Sequence, residues 1–231
     1  MPNIKTIQSL IDESLQAEQE ARKDRIRSNK FSPSLFGRCY RAQYWNRLAE
    51  PESNPSDART LRVFAVGKLF HEFVQRLFPD AQKEVRVETD DVLGFADIVY
   101  GDNVVDIKTV HSKSFWYAKR DGYDVNKEKN SNILQVMFYV HILKATTGRL
   151  VFISKDDFCI DEYGFHIDKW RSEVEKELET LRYYWSKQNL PPAIPRAYGS
   201  TAENPRECSY CSWKDKCFKM ESQVATASAV L

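Results

Sequence analysis

Two carboxylates and a lysine stand within a short, strand-like part of the sequence. Asp97 lies on one predicted strand, and Asp106 and Lys108 lie on the next. Side chains alternate along a strand, so Asp106 and Lys108 share one face while the apolar Val105 and Ile107 share the other. The apolar neighbours predict a strand buried on at least one side, where a carboxylate and an ammonium need compensation. A hairpin would place Asp97 beside Asp106.

This group of side chains suits phosphodiester hydrolysis. Two close carboxylates repel each other, and a hard divalent cation such as Mg²⁺ or Mn²⁺ relieves that repulsion. Such a cation polarises a phosphoryl group and generates a nucleophilic water. Lys108 would orient that water or offset charge that develops in the transition state. The tripeptide 106–108, taken alone, has an alternative interpretation: its Asp–Lys pair merely occupies a strand surface and has no catalytic role.

The pattern resembles the PD-(D/E)xK nuclease superfamily and, within it, the RecB-like branch. Gly67-x-x-x-His71 resembles the histidine motif of that branch, and Gln135-x-x-x-Tyr139 resembles its helix motif. Glu84 stands where some members carry an additional acid. The sequence has Ala96 where other members of the superfamily have proline before the first aspartate. This proline is commonly absent in the branch.

The resemblance implies a restriction-endonuclease-like α/β core, with a central mixed sheet flanked by helices. It also implies a role for each matching residue. Lys108 is the catalytic amine, and Gln135 and Tyr139 position substrate or Lys108. The implied metal ligands are His71, Asp97 and Asp106, with Glu84 as a candidate additional ligand.

Five cysteines and no export signal favour a reducing compartment, so metal ligation is expected rather than disulfides. Cys208, Cys211 and Cys217 are closely spaced, and Cys39 is the candidate fourth ligand. Cys159 is expected to be a small buried hydrophobe. One cysteine before the core and three after it are similar to the iron–sulfur subset of the branch, which includes AddB-type domains and CRISPR-adaptation nucleases. This implies a [4Fe–4S] cluster that joins the two ends, with tetrahedral Zn²⁺ as the alternative.

Two basic regions are candidates for DNA binding. Arg38 and Arg41 bracket a proposed cluster cysteine. The segment 113–120 mixes cations with aromatic residues, as stacking on unpaired bases would require. Packing of these aromatics in the core, under a basic rim, is the equal alternative. The candidate residues of this segment are Lys113, Trp116, Tyr117, Lys119 and Arg120.

The composition bounds the class of protein. The chain has 231 residues, 42% hydrophobic, with a formal net charge of +1, which predicts one folded domain. The near-zero charge hides segregation, with eight basic residues and one acid in 22–47, and eight acids and two basic residues in 80–106. A basic entry and an acidic centre suit a phosphate ligand that approaches a bound cation.

Hydrophobic periodicity predicts the elements that carry these residues. Helices are expected over 4–29, 61–78, 131–145 and 168–188, and strands over 83–88, 92–100, 103–110 and 149–154. A turn at Gly101–Asn103 joins the second and third strands, and a short strand pair is expected over 157–167. These elements predict an α/β core with a mixed sheet. The expected domains are an N-terminal helix over 1–30, a nuclease domain over 31–218 and a flexible tail over 219–231.

Together these features predict a Mg²⁺- or Mn²⁺-dependent deoxyribonuclease that acts as an exonuclease on DNA ends or single strands. A structure-specific endonuclease that trims DNA ends is one alternative. A non-catalytic DNA-binding or assembly module with a metal clamp is another. The expected location is the cytoplasm, or the host cytoplasm for a virus-encoded protein, with no membrane partner. The resemblance also implies partners in DNA recombination and repair or in CRISPR adaptation.

Overall fold

The computed structural model of the chain describes residues 5–23 and 29–228. Its strands are β1 (Gln82–Glu88), β2 (Leu93–Tyr100), β3 (Asn103–Val110), β4 (Thr147–Ser154) and β5 (Ile160–His166). Its α-helices are α1 (Ile7–Lys23), α2 (Tyr40–Arg47), α3 (Ala58–Arg76), α4 (Ser112–Tyr117), α5 (Val125–Glu128), α6 (Asn130–Leu143), α7 (Arg171–Ser186) and α8 (Lys214–Ser228). No helix among the described residues combines the length and the apolar character needed to cross a bilayer.

The five strands form one mixed sheet in the order β1-β2-β3-β4-β5. Strands β3 and β4 are parallel, and the other neighbouring strands are antiparallel. Gly101, with φ of +52°, lies in the tight turn between β2 and β3, as the sequence predicts. The parallel pair needs a long crossover, which the segment containing α4, α5 and α6 provides.

Helices cover both faces of the sheet, which confirms the predicted α/β core. On one face α6 is buried over residues 133–140, because its apolar residues pack against the sheet and against α7. On the other face Val74 of α3 packs on Val105 and Ile107 of β3. Helix α1 lies against α3, and Arg62 forms an ion pair with Asp12 there. Strand β3 is therefore buried on both sides.

Two local predictions differ from the structure. Residues 157–167 hold one strand, β5, which pairs with β4, and not a pair of short strands. Residues 219–228, predicted as the start of a flexible tail, continue helix α8. The N-terminal helix is described from Ile7 to Lys23, and residues 4 and 24–28 of its predicted extent lie outside the described residues.

Candidate active site

Strands β2 and β3 diverge at Asp97. Their backbone pairing runs from the turn only as far as Ile98 and Val105. Beyond that pair the side chain of Asp97 fills the gap, because its Oδ2 accepts a 2.7 Å hydrogen bond from the Ile107 amide. The gap places Asp97 next to Asp106, as the predicted hairpin requires.

Asp106 and Lys108 lie on the face of β3 that α6 covers. The ammonium of Lys108 is 3.0 Å from Asp106 Oδ1 and donates a 3.2 Å hydrogen bond to Gln135 Oε1. Asp106 is 1% exposed. Val105 and Ile107 pack on the opposite face beneath α3, so the predicted alternation of β3 is confirmed.

Helix α3 approaches the same gap from the other face of the sheet. Nδ1 of His71 is 3.6 Å from Asp97 Oδ2. One turn further on, Gln75 donates hydrogen bonds to Glu84 Oε1 at 2.6 Å and to the Asp97 carbonyl at 3.1 Å. Gln75 belongs to none of the sequence motifs. Its spacing of four residues from His71, which places both on one helix face, was the available signal.

Tyr139 reaches the site because Gly94 has no side chain. A Cβ at Gly94 would lie 2.7 Å from Tyr139 Oη and 2.9 Å from Pro33 Cγ. The tyrosine is 2% exposed, and burial raises its pKa. A neutral phenol in this environment is suited to positioning and not to proton abstraction.

The charges at the site are incompletely balanced. Burial and the negative charge of Asp106 raise the pKa of Asp97 to about 7, although Lys108 acts in the opposite direction. Asp106 Oδ2 is buried and accepts no well-aligned hydrogen bond from a described residue, even though Lys108 Nζ lies 2.8 Å away. Burial lowers the pKa of His71, and nearby Lys108 lowers it further. His71 is therefore neutral, which is the form that binds metals.

These donors fit a divalent cation without forming a finished metal site. Within residues 5–23 and 29–228, no group of three or more His, Cys, Asp or Glu side chains is in position to hold a metal ion. Asp97 is instead bonded to an amide, and Asp106 is paired with Lys108. Two adjacent buried carboxylates, one of raised pKa, that share a single lysine are the environment that Mg²⁺ or Mn²⁺ neutralises.

Four cysteines gather at a second position. Free thiols of Cys39, Cys208, Cys211 and Cys217 all line one cavity of about 310 Å³, although they are not in ligating positions. Burial and, to a smaller extent, the neighbouring thiols raise the pKa of Cys211 to about 11, although a backbone hydrogen bond from Trp213 acts in the opposite direction. Closely grouped thiolates need a cation, so this donor set fits a metal or cluster. Cys159 is half-buried against the main core.

Arg41 and Arg38 lie beside these cysteines. Arg41 is 7% exposed. It donates hydrogen bonds to the Pro191 carbonyl at 2.7 Å and to Glu221 at 2.6 Å, and its Nη1 is 3.5 Å from Cys217 Sγ. These partners join α2 to α8, so the prediction that Arg41 contacts DNA is not supported. Arg38 is half-buried and lines the cysteine cavity, so its proposed contact with DNA stays a prediction.

Glu177 of α7 joins the segments on both sides of the cysteine cavity. Its side chain is 2% exposed and accepts hydrogen bonds from the Gly37 amide at 2.9 Å and from Gln43 at 3.0 Å. Arg196 donates to it at 2.7 Å. Near it, Glu207 accepts a 2.7 Å hydrogen bond from the Cys39 amide. Neither glutamate carried a signal in the sequence.

The aromatic and basic segment 113–120 forms α4 and the turn after it. Phe115 is 4% exposed and belongs to the core, whereas Trp116 and Tyr117 are 54% and 49% exposed. Arg120 lies over the Tyr117 ring at 5.2 Å, and Lys119 pairs with Asp161. Lys113 is also exposed. The core interpretation therefore holds for Phe115, and the other side chains form a mixed cationic and aromatic surface.

Comparison with known structures identifies the fold. No family model and no curated protein matches the sequence. The structure is similar to that of SSO0001, with a TM-score of 0.54 and 18% identity over 90% of this chain and 94% of that one. It is also similar to the alkaline exonuclease LHK-Exo of Laribacter hongkongensis, with a TM-score of 0.51 and 13% identity over 76% of this chain and 93% of that one. The predicted restriction-endonuclease-like fold is confirmed.

Proposed function

We propose that this chain, which has a restriction-endonuclease-like fold, is a metal-dependent deoxyribonuclease of the RecB-like branch of the PD-(D/E)xK superfamily. It acts as an exonuclease on DNA ends or single strands. One observation carries the proposal: Asp97, Asp106, Lys108 and Gln135 converge where β2 and β3 separate. Lys108 donates hydrogen bonds to Asp106 at 3.0 Å and to Gln135 at 3.2 Å, and Asp97 accepts a 2.7 Å hydrogen bond from the amide of Ile107, between Asp106 and Lys108. The exonuclease with a similar structure gives independent support.

Asp97, Asp106 and His71 would hold the cation, with Glu84 as the additional ligand. When bound, Mg²⁺ or Mn²⁺ would polarise the phosphoryl group and lower the pKa of an attacking water. The chain's own contribution is mainly positioning. Gln135 fixes the ammonium of Lys108 at 3.2 Å, so the positive charge is already in place where negative charge develops on the phosphate.

Cleavage of end-labelled linear DNA, single- and double-stranded, tests the proposal. The wild-type protein should cleave in Mn²⁺ or Mg²⁺ and not in EDTA. Asp106→Asn and Lys108→Ala should each lower the rate by about 10²–10³-fold, because each removes a charge that the transition state requires. The control is Lys176→Ala, an exposed lysine of α7.

Two results would contradict the proposal. A Lys108→Ala variant as active as the wild type would show that this group of residues is not the active site. Wild-type protein that leaves every DNA uncut in both metals would favour a non-catalytic module. Circular single-stranded DNA separates the two enzymatic alternatives, because an obligate exonuclease leaves it intact and an end-trimming endonuclease that acts on single strands cuts it.

We also propose that Cys39, Cys208, Cys211 and Cys217 hold a [4Fe–4S] cluster, since all four line one cavity. Its role would be to cross-link the start of α2 to the segment before α8 and to the first turn of α8, which carries Cys217. Protein purified anaerobically should be brown and contain about four irons per chain. Colourless protein with stoichiometric zinc would instead indicate tetrahedral Zn²⁺.

The surface of Lys113, Trp116, Tyr117, Lys119 and Arg120 is proposed to contact the DNA backbone and unpaired bases. Its exposed aromatics and cations support this assignment. Lys113→Ala and Arg120→Ala should each weaken DNA binding. Each should also reduce the slope of log affinity against log salt concentration by about one, which corresponds to the loss of one phosphate contact. An unchanged salt dependence in both variants would exclude this surface.

A further inference from the structure

A cleft of about 440 Å³ adjoins the candidate active site. It shares Gln135 and Tyr139 with that site, and Gln135 Oε1 is 3.2 Å from Lys108 Nζ. The segment 29–34, the start of β2 and one residue of α2 complete its walls. A substrate strand whose phosphate lies at Lys108 would therefore have an adjacent nucleotide next to this cleft.

The lining of the cleft combines an aromatic surface with free amides. Phe95 is 46% exposed, so its ring is available to a ligand. The side-chain amides of Asn29 and Asn46 form no hydrogen bond with any other described residue. Lys30 is the one charged residue among the described residues that line the cleft, and its ammonium is bonded to Glu88 at 2.8 Å.

This chemistry differs from that of a phosphate site. A phosphate site would present several free cations or backbone amides, whereas this cleft presents an aromatic face and two amides that can both donate and accept hydrogen bonds. An apolar face with amide groups around it is how proteins bind an unpaired nucleobase. The volume of about 440 Å³ is large enough for one nucleotide.

We infer that this cleft holds one unpaired base of the substrate strand beside the scissile phosphate. The inference rests on the proposed nuclease function and adds a preference for single-stranded DNA, or for frayed ends, over paired DNA. A base that enters the cleft must leave the stack, and this costs least where it is already unpaired.

Binding in the absence of metal tests the cleft separately from catalysis. The probe is a fluorescein-labelled 15-residue oligothymidylate, measured by anisotropy in EDTA, with a blunt hairpin duplex as the comparison. Phe95→Ala should weaken binding of the oligothymidylate by at least about fivefold, because it removes the stacking surface. Asn29→Ala combined with Asn46→Ala should weaken it as well. Binding of the duplex should change less in both variants.

The control is Tyr198→Ala, which removes an aromatic residue that is 58% exposed and does not line the cleft. If both cleft variants bind the oligothymidylate as wild type does, the inference is wrong, and the proposed function stands wherever Mn²⁺-dependent cleavage persists. An equal loss for single-stranded and duplex DNA would also overturn it. Conversely, the wild-type protein could cleave no DNA while the cleft variants selectively lose binding of the oligothymidylate. This result would support the inference about the cleft and contradict the proposed nuclease function.

Discussion

At the scale of single residues, the missing side chain of Gly94 positions Tyr139. Gly94→Ala would bring a Cβ to 2.7 Å from Tyr139 Oη and 2.9 Å from Pro33 Cγ, so one of them must move. We expect a loss of about 1–3 kcal/mol in the free energy of unfolding and a lower kcat. Urea denaturation and the DNA cleavage assay measure the two effects. Gly164→Ala is the control, since its Cβ meets nothing within 4 Å. Equal stability of the two variants would contradict the close approach.

Some residue positions of the candidate site could be predicted from the sequence, and others could not. The shared face of Asp106 and Lys108 follows from strand alternation alone, and the structure confirms it. Gln75 was missed because its one signal, the spacing of four residues from His71, gains meaning only when Glu84 and the Asp97 carbonyl are known as its partners. Arg41 was misassigned because a basic residue near a cysteine looks the same in sequence whether it is exposed or buried among carbonyl and carboxylate acceptors.

At the scale of elements, α3 acts on the site through Gln75, which joins Glu84 of β1 to the Asp97 carbonyl of β2. Gln75→Ala should release both groups and lower kcat several-fold. Because Glu84 and Asp97 are proposed ligands, the Mn²⁺ concentration needed for half-maximal activity should rise. Glu72→Ala is the control, as its side chain is 55% exposed on the same helix. If Gln75→Ala lowers kcat without changing the Mn²⁺ requirement, the role of Gln75 is not to position ligands.

Element boundaries were predictable where a segment is rich in apolar residues and largely buried, as in α6 and β3. They failed where tertiary contacts decide the structure. The helix of α8 continues through residues predicted as tail, and its Glu221 pairs with the buried Arg41, a partner 180 positions away in the sequence. Likewise, residues 157–167 form a single strand, because β4 offers one continuous edge from Thr147 to Ile153 for β5.

At the scale of the whole molecule, Glu177 connects the segment before α2 to the segment after α7. Glu177→Ala would leave the guanidinium of Arg196 without its buried partner and would orphan the Gly37 amide. We expect a loss of about 3–5 kcal/mol in the free energy of unfolding. Glu177→Gln keeps the shape of the side chain and one of its two acceptor oxygens, so it should lose less free energy of unfolding than Glu177→Ala. Glu175→Ala, an exposed change on the same helix, should stay within about 0.5 kcal/mol. Comparable stability of Glu177→Ala and Glu175→Ala would contradict this role.

The cysteine cavity extends this connection, because Cys39 faces thiols that lie about 170 positions further along the sequence. A cluster there would close a very long loop and so restrain the unfolded chain strongly. We therefore expect Cys39→Ser to lose bound iron and about 2–4 kcal/mol of stability, the range typical of covalent cross-links. Cys159→Ser, at the cysteine outside the cavity, should keep both. Metal analysis together with thermal unfolding under anaerobic conditions measures the two quantities. If Cys39→Ser retains its metal, or if both variants unfold at the same temperature, the cavity does not hold the clamp that joins the two ends of the fold.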